Sequence, residues 1–107
     1  AWQRADRFVR EVYSATRGFP AEELYGVVSQ LRRASLSVVL NIVEGLGRSS
    51  SRENRRFLNI SLGSLMEVDY LLYFSEAQGY LTKERYDHLE GLRREAGAVI
   101  WGYYRSL

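Results

Sequence analysis

Apolar side chains recur three or four positions apart through four successive segments of the chain, and nowhere do they alternate long enough to make a strand. That periodicity restricts the 107 residues to an all-α fold. The segments are approximately 2–17, 20–46, 51–78 and 83–106. The first carries Trp2, Ala5, Phe8, Val9, Val12, Tyr13 and Thr16 on one face, and Gly18 ends it. In the second, Pro20 fits the first turn, Glu22 and Glu23 oppose the helix dipole, and Leu24, Val27, Val28, Leu31, Ala34, Val38, Ile42 and Leu46 form the apolar face. Gly45 and Gly47 stop it. Ser50 and Glu53 have the spacing of a capping box for the third helix, Gly79 suits its left-handed C-terminus, and Thr82 caps the fourth. Connections of about three to six residues force neighbouring helices to run antiparallel, so the expected architecture is a single-domain, up-down-up-down four-helix bundle.

Within the third helix Gly63-Ser64 interrupts the apolar pattern. A mid-helix glycine costs about 1 kcal/mol relative to alanine, which close approach of a neighbouring helix would offset. Of the eight tyrosines, Tyr13, Tyr70, Tyr73, Tyr86 and Tyr103 fall on or near packing faces and are expected in the core rather than in a base-stacking platform.

Several chemistries are excluded by residue type. There is no cysteine and one histidine, His88, which lacks the Glu-x-x-His spacing of carboxylate-bridged bundle metals; no metal and no cofactor is expected. His88 reads as a surface or half-buried structural residue. Neither a Gly-x-Ser-x-Gly turn nor a phosphate-binding glycine loop is present, so the chain is expected not to be an enzyme. Glu44 and Glu67, each on a long helix among small residues, are the one pair of carboxylates placed to serve as acid and base if they face one another. Without a run of about 18 apolar residues or a signal-peptide pattern, a cytoplasmic protein with no membrane partner is expected.

Polar residues intrude where the second helix should be apolar. Gln30, Arg33, Ser37, Asn41 and Glu44 are spaced three, four, four and three apart and fall on one face. In one reading they satisfy each other at a helix or subunit interface, Asn41 and Glu44 meeting Ser64 and Glu67, and specify register or assembly. In the other they line an open groove or pore, with Arg32 and Arg33 as its charged members.

Fourteen of the fifteen basic residues are arginine, although the net charge is only +2. Arginine offers a planar fork that matches phosphate oxygens. Arg48, Arg52, Arg55 and Arg56 lie around three serines beside a helix N-terminus, a setting that favours an anion; four Arg against one Glu give residues 48–56 a charge of +3. With Arg32 and Arg33 they form the candidate nucleic-acid-binding set. The competing reading is a solvated helix face paired with Glu53, Glu44 or a neighbouring subunit.

The segments FPAEELYG, QLRRASLSVVLNIVEGLGRSS and RRFLNISLGSLMEVDYLL resemble the bacterial four helix bundle protein family, first noted as reading frames within intervening sequences of large-subunit ribosomal RNA genes. Ser35 and Val43 stand where that family commonly has alanine, and Asn54 where an aromatic is common. The resemblance implies a ring-shaped homo-oligomer, typically a homopentamer. It also implies a fold similar to the basic accessory proteins of diversity-generating retroelements, which bind nucleic acid and associate with a reverse transcriptase. The functional expectation is a non-enzymatic pentamer that binds structured RNA or DNA through phosphate. A protein-interaction scaffold ring without a nucleic-acid partner is the alternative.

Overall fold

The computed structural model describes residues 2–107. Four helices follow in order: α1, Gln3–Thr16; α2, Val27–Leu46; α3, Ser51–Ala77; and α4, Lys83–Ser106. A single 3-10 turn, Ala21–Glu23, precedes α2, and there is no strand among the described residues. α2 packs on α3, α3 on α4, α4 on α1 and α1 on α2, which closes an antiparallel bundle measuring 43 × 24 × 19 Å.

The periodic apolar positions meet on the bundle axis. Phe8, Val12, Leu31, Val38, Ile42, Leu58, Val68, Leu72, Leu89 and Ile100 are almost wholly removed from water, each large side chain stabilising the fold by about 1.5–3 kcal/mol. Where α2 meets α3 the seam is narrow because its side chains are small. Ser61 Oγ donates to the Val38 carbonyl at 2.8 Å, and the Ser37 and Ser64 hydroxyls meet at 2.9 Å. Gly45 belongs to this seam. It does not stop α2 but lies inside it, and a Cβ there would stand 3.2 Å from Phe57 Cβ and 3.3 Å from the Asn54 carbonyl oxygen. Only Gly47 ends the helix, its N–H reaching the carbonyls of Val43 and Glu44.

The start of α2 differs from the sequence expectation for a local reason. Pro20 opens the 3-10 turn rather than α2 itself, because Gly26, at φ −109° and ψ −116°, leaves the helical region between them. Glu23 bridges the break. Its Oε1 accepts the Val27 N–H, while its Oε2 accepts the Tyr80 hydroxyl at 2.7 Å, a bond that raises the Tyr80 pKa. At α3 the serine half of the expected capping box forms, Ser50 Oγ accepting from Glu53 N–H, while the Glu53 carboxylate turns to Arg56; Thr82 Oγ1 accepts from Arg85 N–H and Gly79 takes φ +80°, as expected.

One buried charge has no counterpart in the sequence reading. Glu90 on α4 is 5% exposed, and Arg93 donates to both of its oxygens, at 2.9 and 3.0 Å, while standing 3.5 Å from Asp69 on α3. Donating these hydrogen bonds to Glu90 raises the Arg93 pKa and holds the guanidinium charged. His88 is exposed and joins α4 to α1 through Glu11 at 2.9 Å.

Candidate nucleic-acid interface and the polar groove

The turn between α2 and α3 is short enough to carry Arg48 directly to the first turns of α3. Gly47 folds the chain back, Arg48 N–H bonds the Gly45 carbonyl, and Ser50 caps α3. Half-buried Phe57 lies against two cations: the guanidinium carbon of Arg48 is 4.8 Å from the ring centroid and that of Arg56 is 5.4 Å from it. Each of the two has a carboxylate on its own helical turn, Glu44 for Arg48 at 2.7 Å and Glu53 for Arg56 at 3.5 Å. Such exposed pairs contribute only about 0–1 kcal/mol and are readily exchanged for another anion. Arg52 and Arg55 are exposed and enter no ion pair among the described residues. One end of the α2–α3 hairpin therefore presents four guanidinium groups, two held against an aromatic ring and two facing solvent.

Arg32 and Arg33 do not join them. Arg32 lies fourteen residues before the end of α2 at Leu46, roughly 21 Å at the helical rise, and Arg48 lies beyond that end. Arg32 is spent inside the chain: Nε donates to Thr16 Oγ1 at 2.9 Å, Nη2 to the Tyr13 carbonyl at 3.4 Å, and the guanidinium lies 4.6 Å from the Tyr13 ring centroid. It fastens α2 to the C-terminal turn of α1, where a cation suits the helix dipole. Arg33 is exposed.

The polar face of α2 divides as well. Ser37 and Asn41 are half-buried, whereas Gln30 and Glu44 are exposed; on α3, Ser64 is buried and Glu67 exposed. The contact that forms is Ser37 with Ser64, not Asn41 or Glu44 with Ser64 and Glu67. Asn41 Nδ2 instead donates to the Ser37 carbonyl and hydroxyl, at 2.8 and 3.1 Å. The register explains this. With Ser37 at Ser64 and Val38 at Ser61, antiparallel packing sets Arg33 level with Glu67 and Glu44 level with Arg56. Gln30, Arg33, Ala34, Ser37, Ser64 and Glu67 line an open groove of about 350 Å³. Glu44 and Glu67 are separated by roughly 16 Å along the hairpin, so they do not face one another as an acid–base pair.

Two tyrosines expected in the core are outside it. Tyr70 and Tyr73 are each 61% exposed beside Met66, also exposed, whereas Tyr13, Tyr86 and Tyr103 are half-buried. Leu24 and Leu46, assigned to the apolar face of α2, and Ile60 of α3 are likewise exposed. The available signal was the spacing Gly63, Met66, Tyr70, Tyr73, a second stripe on the side of α3 away from Leu65, Val68 and Leu72.

Among the described residues no group of acidic or histidine side chains is placed to hold a metal ion, and no helix is long and apolar enough to cross a membrane. Residues 1–102 match the 23S rRNA-intervening sequence protein family. The crystal structure of a protein of unknown function from the S23 ribosomal protein family of Bacteroides thetaiotaomicron has the same fold. It aligns with 96% of each chain at a TM-score of 0.85 and 20% identity. No curated protein matches the chain.

Proposed function

This chain belongs to the 23S rRNA-intervening sequence protein family, and on that footing we propose that it is a non-enzymatic homo-oligomer, a pentameric ring, that binds structured RNA or DNA through phosphate. The observation that carries the reading is the end of the α2–α3 hairpin, where exposed Arg52 and Arg55 stand beside Arg48 and Arg56 with no ion pair of their own. Phosphate contacts of this kind position a protein without reading sequence. A single copy carries too few of them for tight binding, and a ring repeats the cluster once per subunit.

Binding is expected to be sensitive to salt and tolerant of sequence. Arg52→Ala/Arg55→Ala/Arg56→Ala should weaken affinity for a hairpin RNA and for duplex DNA alike. For each copy engaged, the slope of log affinity against log salt should become shallower by roughly three. Fluorescence anisotropy across a salt series measures both quantities. Unchanged affinity in the triple variant would remove these residues from the account.

The carboxylates that Arg48 and Arg56 already hold favour a second reading, a scaffold ring that presents its helices to a partner protein. Absence of binding to either nucleic acid at low salt by a fully assembled protein would select it.

A further inference from the structure

Because α4 runs antiparallel to α3, its C-terminus returns to the end of the bundle that carries the arginine cluster, and it brings an exposed indole there. Trp101 is 47% exposed and packs edge to face with Tyr104, the ring centroids 5.6 Å apart and the planes at 74°. Helical side chains lean toward the N-terminus of their helix, so Trp101 lies over the turn that carries Gly97 and Ala98. Neither has a side chain large enough to cover an indole. Gly102 follows, and a Cβ there would meet no atom within 4 Å. Tyr104 thus fixes the ring while its surroundings leave one face open to solvent.

Contacts between α3 and α4 fix the height of that ring. Arg93 stands 3.5 Å from Asp69, and a Cβ at Gly97 would lie 3.6 Å from Leu65 Cδ1; both pairings put Trp101 level with Ser61. Arg55 is then roughly 9 Å further toward this end along α3, and Arg105 roughly 6 Å further along α4. They also share a side. Arg55 precedes Asp69 by two heptads, on the flank of α3 that faces α4, and Trp101 follows Gly97 by one turn, on the flank of α4 that faces α3. From Asp69 to this end neither flank carries an acidic side chain among the described residues. Arg105 is exposed and, like Arg55, enters no ion pair among them.

We infer that this seam takes an unpaired nucleotide, its base stacked on Trp101 and its flanking phosphates against Arg55 and Arg105, a site that rests on the nucleic-acid reading above. The nucleic acid is then single-stranded where it crosses the seam. Phosphate contacts alone would suit a duplex equally well. An indole face does not, because a paired base inside a helix has both of its faces covered by its neighbours. Cations that follow the backbone beside a ring that accepts any base are the two parts of a single-strand site. The α2–α3 hairpin supplies only the first of them at this end, since Phe57 is half-buried and already lies against Arg48 and Arg56.

Trp2→Phe leaves Trp101 as the only tryptophan, so its emission reads the stacking directly. Oligothymidylate and a blunt DNA duplex are titrated into this protein at low salt, with affinity read in parallel by anisotropy of labelled probes. Oligothymidylate should quench the emission as it binds, and the duplex should bind without quenching. Trp101→Ala should weaken oligothymidylate about tenfold and the duplex by less than about twofold. It removes no charge, so the slope of log affinity against log salt should stay as in wild type. Trp101→Phe should restore most of the lost affinity, and each variant should keep the wild-type helical circular dichroism and light-scattering mass. Equal affinity of Trp101→Ala and wild type for oligothymidylate, or equal quenching by the duplex, would overturn the stacking site and leave phosphate binding standing. A smaller assembly in Trp101→Ala would show that a second copy covers the ring and would overturn the site as well. Failure of wild type to bind either probe would overturn both the site and the reading on which it rests.

Discussion

Arg93→Ala is expected to lower the unfolding free energy by about 3 kcal/mol, near the lower end of the range for removing one partner of a buried ion pair. Glu90 is 5% exposed and has both carboxylate oxygens bonded to Arg93, so the substitution leaves a charge facing the interior with nothing to balance it. The value sits low in that range because the Arg93 side chain keeps 16% of its exposure and water can reach the vacated space. The same substitution removes the link to Asp69 and with it one polar tie between α3 and α4. Replacing both partners, Glu90→Leu/Arg93→Leu, should recover most of the loss, because an apolar pair carries no desolvation penalty. Urea unfolding followed by circular dichroism measures this, at one protein concentration so that assembly does not shift the comparison. A single-variant loss well under 1 kcal/mol would mean that Glu90 finds water instead.

Gly45→Leu should cost about 3 kcal/mol, the upper part of the usual range for overpacking. The obstacle is the Asn54 carbonyl oxygen as well as Phe57, and a backbone atom inside α3 cannot rotate away as a side chain can. Accommodation would push α3 off α2 and stretch the Ser37–Ser64 and Ser61–Val38 contacts along the same seam. Gly45→Ala should be close to neutral, since its helix-propensity gain of about 1 kcal/mol opposes the tight Cβ contacts. Thermal unfolding of the two variants side by side gives the comparison. Equal tolerance of alanine and leucine would show that the helices stand farther apart than 3.3 Å allows.

The helices and most of their ends were legible in the residues because their causes are local. Ser50 with Glu53, Thr82 and Gly79 cap or close helices through atoms a few positions away. Gly26 was overlooked because the apolar spacing runs on through Leu24 and Val27 and hides a break made by the backbone. The arginine cluster was visible as a cluster for the same reason as the caps, its members being close in the chain. Arg32 was misleading: its partners, Thr16 and the Tyr13 carbonyl, lie on another helix.

What the amino-acid sequence determined by itself is the all-α bundle, its antiparallel order and the concentration of charge at Arg48–Arg56. Each follows from spacing along one chain and from turns too short to cross the fold. What only the tertiary structure decided is which face of each helix the bundle uses. Periodicity marks a side chain as apolar without stating what covers it, so Tyr70 and Tyr73 read like Leu65 and Leu72 until α2 and α4 were in place. The two glycines divide for the same reason: Gly45 touches α3 and Gly63 touches nothing, a difference set by the register of Ser37 on Ser64 and by no residue near either glycine.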